Sequence, residues 1–255
     1  MCSWNIHLGI ELTAILSTIE QSADFQNLDV LLLQEASQRD GLANAVAIAA
    51  ALGPAYRGQQ RAVDRFHGHR RGLGIVWNSD TVDLDRFELL PLPRLHECSV
   101  SPWQRYSLRP LGMRPRAALM AEGTIAGGLG ANGQLRIYVV HLSPVGFAFQ
   151  AEQLAVLQRD NEHRAAAAMV IVAGDFNSLR VDRRKWRRWL DLREVEGFVE
   201  ASKDVQWTYW SNALPIRQKL DNALVLCRAK TTCAAWAPEV RGSDHLPLFF
   251  SIGDG

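Results

Sequence analysis

The sequence predicts a mixed α/β protein in which two packed β-sheets are covered by helices. Short β-rich runs recur along the chain, helical patterns separate only some of them, and two runs are continuously apolar. These two runs, Val30–Leu33 and Met169–Ala173, lack the polar alternation of a strand with one face in water. They therefore predict strands that are covered on both faces, by a second sheet and by helices.

The individual elements follow from local pattern. Seven runs predict strands, and they are Val30–Gln34, Leu73–Trp77, Ala117–Ile125, Leu135–Leu142, Met169–Ala173, Leu220–Cys227 and Leu246–Ile252. Four segments have helical spacing, and they are Glu11–Ser22, Leu42–Leu52, Phe149–Ala168 and Val181–Leu192. Gly127–Gly133 predicts a hairpin turn, and Pro91–Pro115 is interpreted as a long ordered loop.

The composition is that of an ordinary globular protein. The chain has 255 residues, 47% hydrophobic and 22% charged, which excludes wholesale disorder. Its 28 basic and 27 acidic residues give a net charge of +1, so attraction to a polyanion would need local clusters of charge. Because no repeat or low-complexity linker divides the sequence, residues 1–255 are predicted to form a single domain, with no stable protein partner and a monomeric state.

Cysteine spacing and hydropathy bear on the compartment. The cysteines at positions 2, 98, 227 and 233 form no C-x₂-C pair, which favours a reduced protein without structural zinc. Apolar runs such as Ala45–Leu52 fall short of the ~20 residues that a membrane span needs. We therefore expect a cytoplasmic protein without a transmembrane segment. Met1–Asn5 already resembles a strand, which leaves open that a leader once preceded it.

Catalytic residue types stand where three apolar strands end. The runs lead into Gln34-Glu35, into His141-Leu142-Ser143 and into Gly174-Asp175-Phe176-Asn177. Ligands of α/β folds bind outside the strand ends at one sheet edge. The repetition therefore predicts one site, although each residue taken alone would more often be structural.

Six motifs in order resemble a known family. They are Trp4-Asn5, Gln34-Glu35, His141, Gly174-Asp175-Phe176-Asn177, Leu220-Asp221 and Ser243-Asp244-His245. This series, which spans nearly the whole chain, resembles the endonuclease/exonuclease/phosphatase superfamily that includes deoxyribonuclease I and exonuclease III. The resemblance implies a four-layer α/β/β/α sandwich of two mixed sheets flanked by helices. It also implies metal-dependent hydrolysis of a phosphoester by in-line attack of activated water.

The resemblance also implies a metal site. Glu35 would be the first ligand with Asn5 beside it, and Asp244 would lie close to the same ion. Carboxylate and amide oxygens suit Mg²⁺, with Mn²⁺ as a substitute, because hard cations prefer oxygen ligands.

Catalytic roles are carried over in the same way. His245 would be the general base, oriented by Asp221, since a histidine can accept a proton near neutral pH. Asp175 and Asn177 would orient the attacking water and the phosphate. His141 would bind phosphate or protonate the leaving oxygen.

A phosphoester substrate, in first place a nucleic acid, is the predicted partner. Arg116, Arg180 and Arg184 are the candidate phosphate contacts, the last two within the basic segment Arg180–Arg188. The alternative for this segment is a solvated helix face whose tryptophans pack inward.

Three further features have a structural interpretation. His67–Arg71 is expected to be a surface loop. The aromatic residues of Trp207–Trp210 are expected in the core. His7 is expected to be a buried, hydrogen-bonded histidine without a catalytic role.

Two functional alternatives remain open from the sequence. One is a phosphatase or phospholipid phosphodiesterase of the inositol phosphate or sphingomyelin type. The Pro-Ala-Trp-Cys-Asp-Arg stretch typical of inositol polyphosphate 5-phosphatases is replaced here by Arg217–Asn222, which disfavours the inositol phosphate type. The other is a non-catalytic binding scaffold, which the presence of all the core groups disfavours.

Overall fold

A computed structural model describes residues 1–39, 41–66, 68–98, 106, 114–126, 133–144, 146–179, 182–210, 216–229 and 231–254. The helices are α1 (Leu12–Gln21), α2 (Ala23–Gln26), α3 (Asn44–Leu52), α4 (Phe147–His163) and α5 (Arg183–Val195). The strands are β1 (Cys2–Asn5), β2 (Val30–Arg39), β3 (Leu42–Ala43), β4 (Tyr56–Phe66), β5 (His69–Asn78), β6 (Val82–Leu92), β7 (Arg116–Ile125), β8 (Gln134–His141), β9 (Met169–Asp175), β10 (Phe198–Glu200), β11 (Tyr209–Trp210), β12 (Arg217–Gln218), β13 (Asp221–Cys227), β14 (Thr231–Trp236) and β15 (Leu248–Asp254).

Two large mixed sheets form the centre of the fold. The first has the order β14-β15-β1-β2-β5-β4, with β3 paired to β2, and the second has the order β10-β13-β9-β8-β7-β6. Each sheet has one parallel pair, β1 with β2 and β8 with β9, and the other pairs are antiparallel. The predicted mixture of antiparallel pairing and helical crossovers is confirmed.

The apolar strands are covered on both faces, as their sequences predict. In β9, Ile171 belongs to the core between the two sheets, whereas Val172 packs on the outer side with Leu154 of α4 and Leu190 of α5. In β2, alternate side chains likewise face the second sheet or the outer layer of α1, α2 and α3. Full burial of such a side chain contributes about 1.5–3 kcal/mol, so these strands fix the order of the layers. The four-layer α/β/β/α sandwich is confirmed.

Element boundaries differ from the prediction in a few places. Pro91 and Leu92 belong to β6 and not to a loop, because β6 is an edge strand, where a residue without an N–H group is tolerated. A short 3₁₀-helix follows at Leu95–Glu97, whereas 99–105 and 107–113 lie outside the described residues. The predicted antiparallel pair around the glycine-rich turn is present as β7 and β8, but 127–132 are outside the described part.

Several strands carry no clear sequence signal. The sequence did not predict β4, which is rich in polar residues, β6, which interleaves charged and apolar residues, or β14, which is short and has no fully buried residue. β4 and β14 are the outermost strands of the first sheet and β6 of the second, so they bury fewer side chains. All four cysteines are free thiols. Among the described helices, none is both long and apolar enough to cross a membrane.

Candidate active site

The predicted catalytic residues meet at one edge of the two sheets. In the second sheet His141 is in register with Asp175, and Asp175 is in register with Asp221. The antiparallel direction of β13 places its first residue beside the last residue of β9. In the first sheet Asn5 pairs with Gln34, the neighbour of Glu35. The ends of β8 and β9 and the start of β13 therefore converge, as the sequence predicted. Glu35 reaches the same edge differently, because β2 does not end at Gln34 but continues through a bulge to Arg39.

A buried histidine cluster, Asp175, Asp221 and His245, forms one half of the site. Nδ1 of His245 lies 2.9 Å from Oδ2 of Asp221, and Nε2 of the same ring lies 3.8 Å from Oδ2 of Asp175. The backbone of His245 is held by Trp4, whose indole N–H donates to the His245 carbonyl at 3.0 Å. The ring is therefore fixed with Nδ1 hydrogen-bonded to Asp221 and Nε2 facing Asp175.

Burial and neighbouring charges shift the pKa values of the histidine cluster. Burial alone would lower the pKa of His245, but the charge of Asp221 and its hydrogen bond, with the charge of Asp175, raise the pKa to about 10. Burial raises the pKa of Asp175 to about 7, against the opposing attraction of His245. The two shifts favour a proton on the imidazole beside a carboxylate that is less acidic than usual.

Two asparagines orient Asp175. Nδ2 of Asn5 donates to Oδ2 of Asp175 at 3.0 Å, and the backbone N–H of Asn177 donates to Oδ1 at 2.8 Å. Asn177 has φ +50°, a left-handed conformation that asparagine tolerates better than most residues. Gly174 has φ +150°, and a Cβ at this position would overlap the carbonyl oxygen of Val140. The Gly-Asp-Phe-Asn motif is thus required by backbone geometry as well as by chemistry.

An arginine cluster, Glu35, Asp64 and Arg71, forms the other half of the site. Arg71 donates from Nε and Nη2 to the two carboxylate oxygens of Asp64, and from Nη1 to Oε1 of Glu35 at 3.3 Å. Glu35 lies at a bulge of β2 with φ +54°, which turns its side chain out of the regular ladder. A carboxylate from the bulge is thus clamped by a buried guanidinium.

His141 joins the two clusters. Its Nε2 lies 3.6 Å from Oδ2 of Asp175 and 4.0 Å from Oε1 of Glu35. Burial lowers the pKa of His141 well below the usual value, and the positive charges of Arg116, Arg71 and His245 lower it further. The lowered pKa favours the neutral form of the His141 imidazole. Burial and Arg71 also lower the pKa of Arg116, to about 10.

The remaining predicted residues lie around this centre or away from it. Arg116 lines a small cavity of about 20 Å³ with His141 and Arg71. Asp244 is partly exposed, and its Oδ1 lies 3.8 Å from Nδ1 of His7. Arg184 is exposed on α5, and Arg180 lies outside the described residues. The roles of these side chains stay predictions.

Three interpretations of individual segments are corrected. His7 is half exposed and faces Asp244, so it is not a buried histidine. Arg71 is buried within β5 and is not part of a surface loop, because the charges of Asp64 and Glu35 compensate its burial; His67 lies outside the described residues. Among the aromatics expected in the core, Trp210 is 41% exposed, while the Tyr209 ring centroid lies 4.9 Å from that of His245.

Sequence reasoning missed Gln150, a buried residue of α4. Its Nε2 donates to the carbonyls of Ser143, Phe176 and Asn177 at 2.8, 3.2 and 2.9 Å. Gln150 thus ties together the segments that follow His141 and Asp175. Two glutamines three residues apart, Gln150 and Gln153, share one helix face, and both are buried. An amide pair on a helix face that packs inward was the available signal.

A scan against family models matches residues 2–245 to the Endonuclease/Exonuclease/phosphatase family. The chain belongs to this family, whose members are hydrolases that act on phosphoesters and are generally dependent on divalent metals. It therefore has the core of a phosphoesterase. No curated protein sequence matches the chain.

Solved structures share the fold at low sequence identity. An endonuclease/exonuclease/phosphatase from Bacteroides vulgatus is 17% identical with a TM-score of 0.70, covering 100% of this chain and 98% of that one. TDP2 of D. rerio, complexed with a single-strand DNA product, is 17% identical with a TM-score of 0.66, at 100% and 98% coverage. The mannosyl-6-phosphatase Bt3783 of Bacteroides thetaiotaomicron is 14% identical with a TM-score of 0.66, at 98% and 98% coverage.

Proposed function

We propose that this protein is a divalent-metal-dependent phosphodiesterase that hydrolyses nucleic acid. The proposal is carried by one observation: Nε2 of His141 lies within 4.0 Å of carboxylate oxygens of both Glu35 and Asp175, so the two clusters form one centre. One cluster can hold a mobile proton, and the other presents a carboxylate. Phosphodiester hydrolysis needs both a proton acceptor for water and compensation of the negative charge on phosphate.

The histidine cluster is suited to activate water. Nδ1 of His245 is engaged by Asp221, so Nε2 is the nitrogen that faces the centre. Its 3.8 Å separation from Oδ2 of Asp175 is too long for a hydrogen bond but places both atoms within reach of one water molecule. We infer that the Asp175–His245 pair takes the proton from the attacking water, with the Asp175 carboxylate as the acceptor because the His245 imidazole already carries a proton. A P–O ester bond breaks, and this proton balances the charge of the leaving oxygen.

The donor set fits a hard divalent ion. Glu35, Asn5 and Asp175 offer carboxylate and amide oxygens at the same edge, the ligand type that Mg²⁺ and Mn²⁺ prefer. Asp175, Asp221 and His245 also have ligand atoms within 4.8 Å of one another. A protonated His245 is a poor ligand, however, so we assign the ion to the oxygen donors around Glu35. When bound, the ion supplies Lewis-acid polarisation of the phosphate.

The neighbouring neutral and cationic groups are suited to hold the phosphate. Asn177 has its amide fixed by the carbonyl of Leu142 at 3.1 Å, and this anchors the turn beside the centre. His141 is neutral and can donate a hydrogen bond without adding charge. Arg116 lines the cavity next to it and supplies the cation. We infer that these three residues orient the scissile phosphate for in-line attack.

The test is hydrolysis of bis(p-nitrophenyl) phosphate compared with p-nitrophenyl phosphate, each with Mg²⁺, Mn²⁺ or EDTA. We expect metal-dependent turnover of the diester to exceed that of the monoester, followed by cleavage of an oligonucleotide. Faster release from the monoester would instead identify a phosphatase, and sphingomyelin or phosphoinositide hydrolysis without oligonucleotide cleavage would identify a lipid substrate. Binding without turnover under every condition would mean a scaffold and would refute the proposal.

A further inference from the structure

A cavity of about 720 Å³ opens behind the catalytic edge, a volume typical of small-molecule sites. It is lined by the start of α5, by residues 203–207 and by residues 217–219. Ser178 and Asn222 form the wall nearest the centre, three residues after Asp175 and one after Asp221. Asp221 faces the space between the sheets, and Asn222 follows it on a strand whose side chains alternate, so the cavity lies on the outer face of the second sheet.

The lining of this cavity carries a net positive charge. Five basic side chains line it against two acidic ones: Arg183, Arg187, Lys203, Arg217 and Lys219 against Glu200 and Asp204. The buried Glu200 is already compensated, since Nζ of Lys219 lies 2.6 Å from its Oε1 and Nη1 of Arg187 lies 3.8 Å from its Oε2. Among the described residues, the side chains of Arg183 and Lys203 form no ion pair. An anion in the cavity would meet these uncompensated cations.

Arg217 is held in place by aromatic rings. Its guanidinium carbon lies 4.3 Å from the ring centroid of Trp207 and 4.9 Å from that of Trp210. Stacking fixes the side chain by its face. Nη2 of Arg217 lies 3.9 Å from Oε1 of the exposed Glu239, which is too long for a hydrogen bond, so the N–H groups at the edge can still bind phosphate. The tryptophans of α5 have a different role, because Trp186 is buried and packs against Phe176 with ring centroids 5.8 Å apart.

The wall between the cavity and the centre is tied directly to the catalytic segments. Nδ2 of Asn222 donates to Oγ of Ser178 at 3.0 Å, and that hydroxyl donates to the carbonyl of Lys219 at 2.8 Å. A chain that leaves the centre across this edge therefore arrives among the cations.

We propose that this cavity is a second phosphate-binding site, which holds the backbone of a nucleic-acid strand a short distance from the scissile bond. The assignment rests on the proposed function for its choice of ligand. A substrate with a single phosphate would have no group to place in the cationic lining. A nucleic-acid strand carries further phosphates, which the basic side chains of the cavity can neutralise. The cavity thus selects a polyanionic strand over a small monoester.

The test is binding of a fluorescent single-stranded oligonucleotide, followed by anisotropy in EDTA over a range of salt. The double variant Arg183→Gln/Lys203→Gln should weaken binding about tenfold. It should also reduce the slope of log K against log salt by about 1.4, because each phosphate contact contributes about 0.7 for single strands. The double variant Lys185→Gln/Arg188→Gln removes two charges from α5 outside the cavity lining and should change neither quantity.

A variant of opposite sign guards against a folding defect. Asp204→Asn removes an exposed carboxylate from the lining and should tighten binding. An unchanged affinity in the cavity variants, an equal loss in the control variant, or no binding by the wild-type protein would each overturn the second site. Hydrolysis of bis(p-nitrophenyl) phosphate by the wild-type protein is measured separately. Absence of hydrolysis would refute the proposed function. The binding measurement would still test whether the cavity is a phosphate-binding site.

Discussion

The histidine cluster and the arginine cluster solve the burial of charge in different ways. In the first, two carboxylates share a histidine that can gain or lose a proton, and Oδ1 of Asp221 has no hydrogen-bond partner among the described residues. In the second, Arg71 carries a permanent charge and satisfies Asp64 and Glu35 at once. In the proposed mechanism the histidine cluster moves a proton, whereas the arginine cluster holds a carboxylate in a fixed position.

The largest expected effect is on the histidine cluster. His245→Gln should lower kcat for bis(p-nitrophenyl) phosphate by about 10²–10⁴, the usual contribution of a positioned acid or base. His163→Gln, a change to an exposed histidine at the end of α4, should have no such effect. Asp221→Asn should lower the pKa of His245, measured by NMR titration, because the main charge that raises this pKa is removed. A kcat within threefold of wild type for the His245 variant would contradict the assignment.

The next effect concerns the stability of the arginine cluster. Arg71→Met leaves the carboxylates of Glu35 and Asp64 without their cation and should cost about 3–5 kcal/mol in the free energy of unfolding without metal. Added Mn²⁺ should recover part of this loss if the metal replaces the guanidinium as partner of Glu35. Urea unfolding with Mn²⁺ or EDTA measures both effects. A loss of stability below 1 kcal/mol would show that the clamp is not structural.

A smaller effect is expected where α4 supports both catalytic segments. Gln150→Leu removes three hydrogen bonds and leaves buried carbonyl groups unpaired, at a cost of about 1–3 kcal/mol. Because Gln150 acts through the segments that follow His141 and Asp175, kcat should fall while KM changes little. Gln150→Asn should only partly restore kcat and the free energy of unfolding. Kinetics and thermal unfolding of the two variants provide the check. A change in stability with normal kcat would mean that Gln150 is structural only.

The smallest effect distinguishes the roles of the two clusters most directly. Glu35→Gln keeps the size of the side chain but removes its charge, and should raise the metal concentration for half-maximal activity at least about tenfold. Saturating metal should then restore most of the kcat, unlike in His245→Gln. Titration of activity with Mg²⁺ and Mn²⁺ measures this difference. An unaltered metal requirement would assign the ion to other ligands.

Most of the fold was predictable because the central strands contain clear apolar runs in the sequence. Val30–Leu33 of β2 and Met169–Ala173 of β9 are apolar without interruption, and each run packs on both faces as predicted. β4 was not predicted because an outer strand can remain polar, and β14 was not predicted because it is short and has no fully buried residue. β6 was missed because proline is permitted at an edge. Helix ends shifted by a few residues, as in α4, which begins at Phe147 and ends at His163.

The candidate site was predictable only in part, and for a definite physical reason. His141 and Asp175 end strands and Asp221 begins one, so strand direction brings them to one edge. Glu35 lies at the bulge of β2, and His245 lies shortly before β15. Arg71 and Gln150 gave no comparable signal, since a basic residue in a charged run and a glutamine in a helix are usually solvated. Their importance comes from partners distant in sequence, such as Glu35 for Arg71 and the carbonyl of Asn177 for Gln150.

The sequence by itself determined the layers and the identity of the groups at the strand ends, because strand burial and direction are local consequences of residue pattern. Only the tertiary structure decided the pKa values of those groups and the presence of the cationic cavity next to them. A pKa depends on the distances to other charges, and His245 acquires its raised pKa from Asp221 and Asp175 across the sheet. The cationic cavity likewise exists only because α5 and the segment around Arg217 meet on one face.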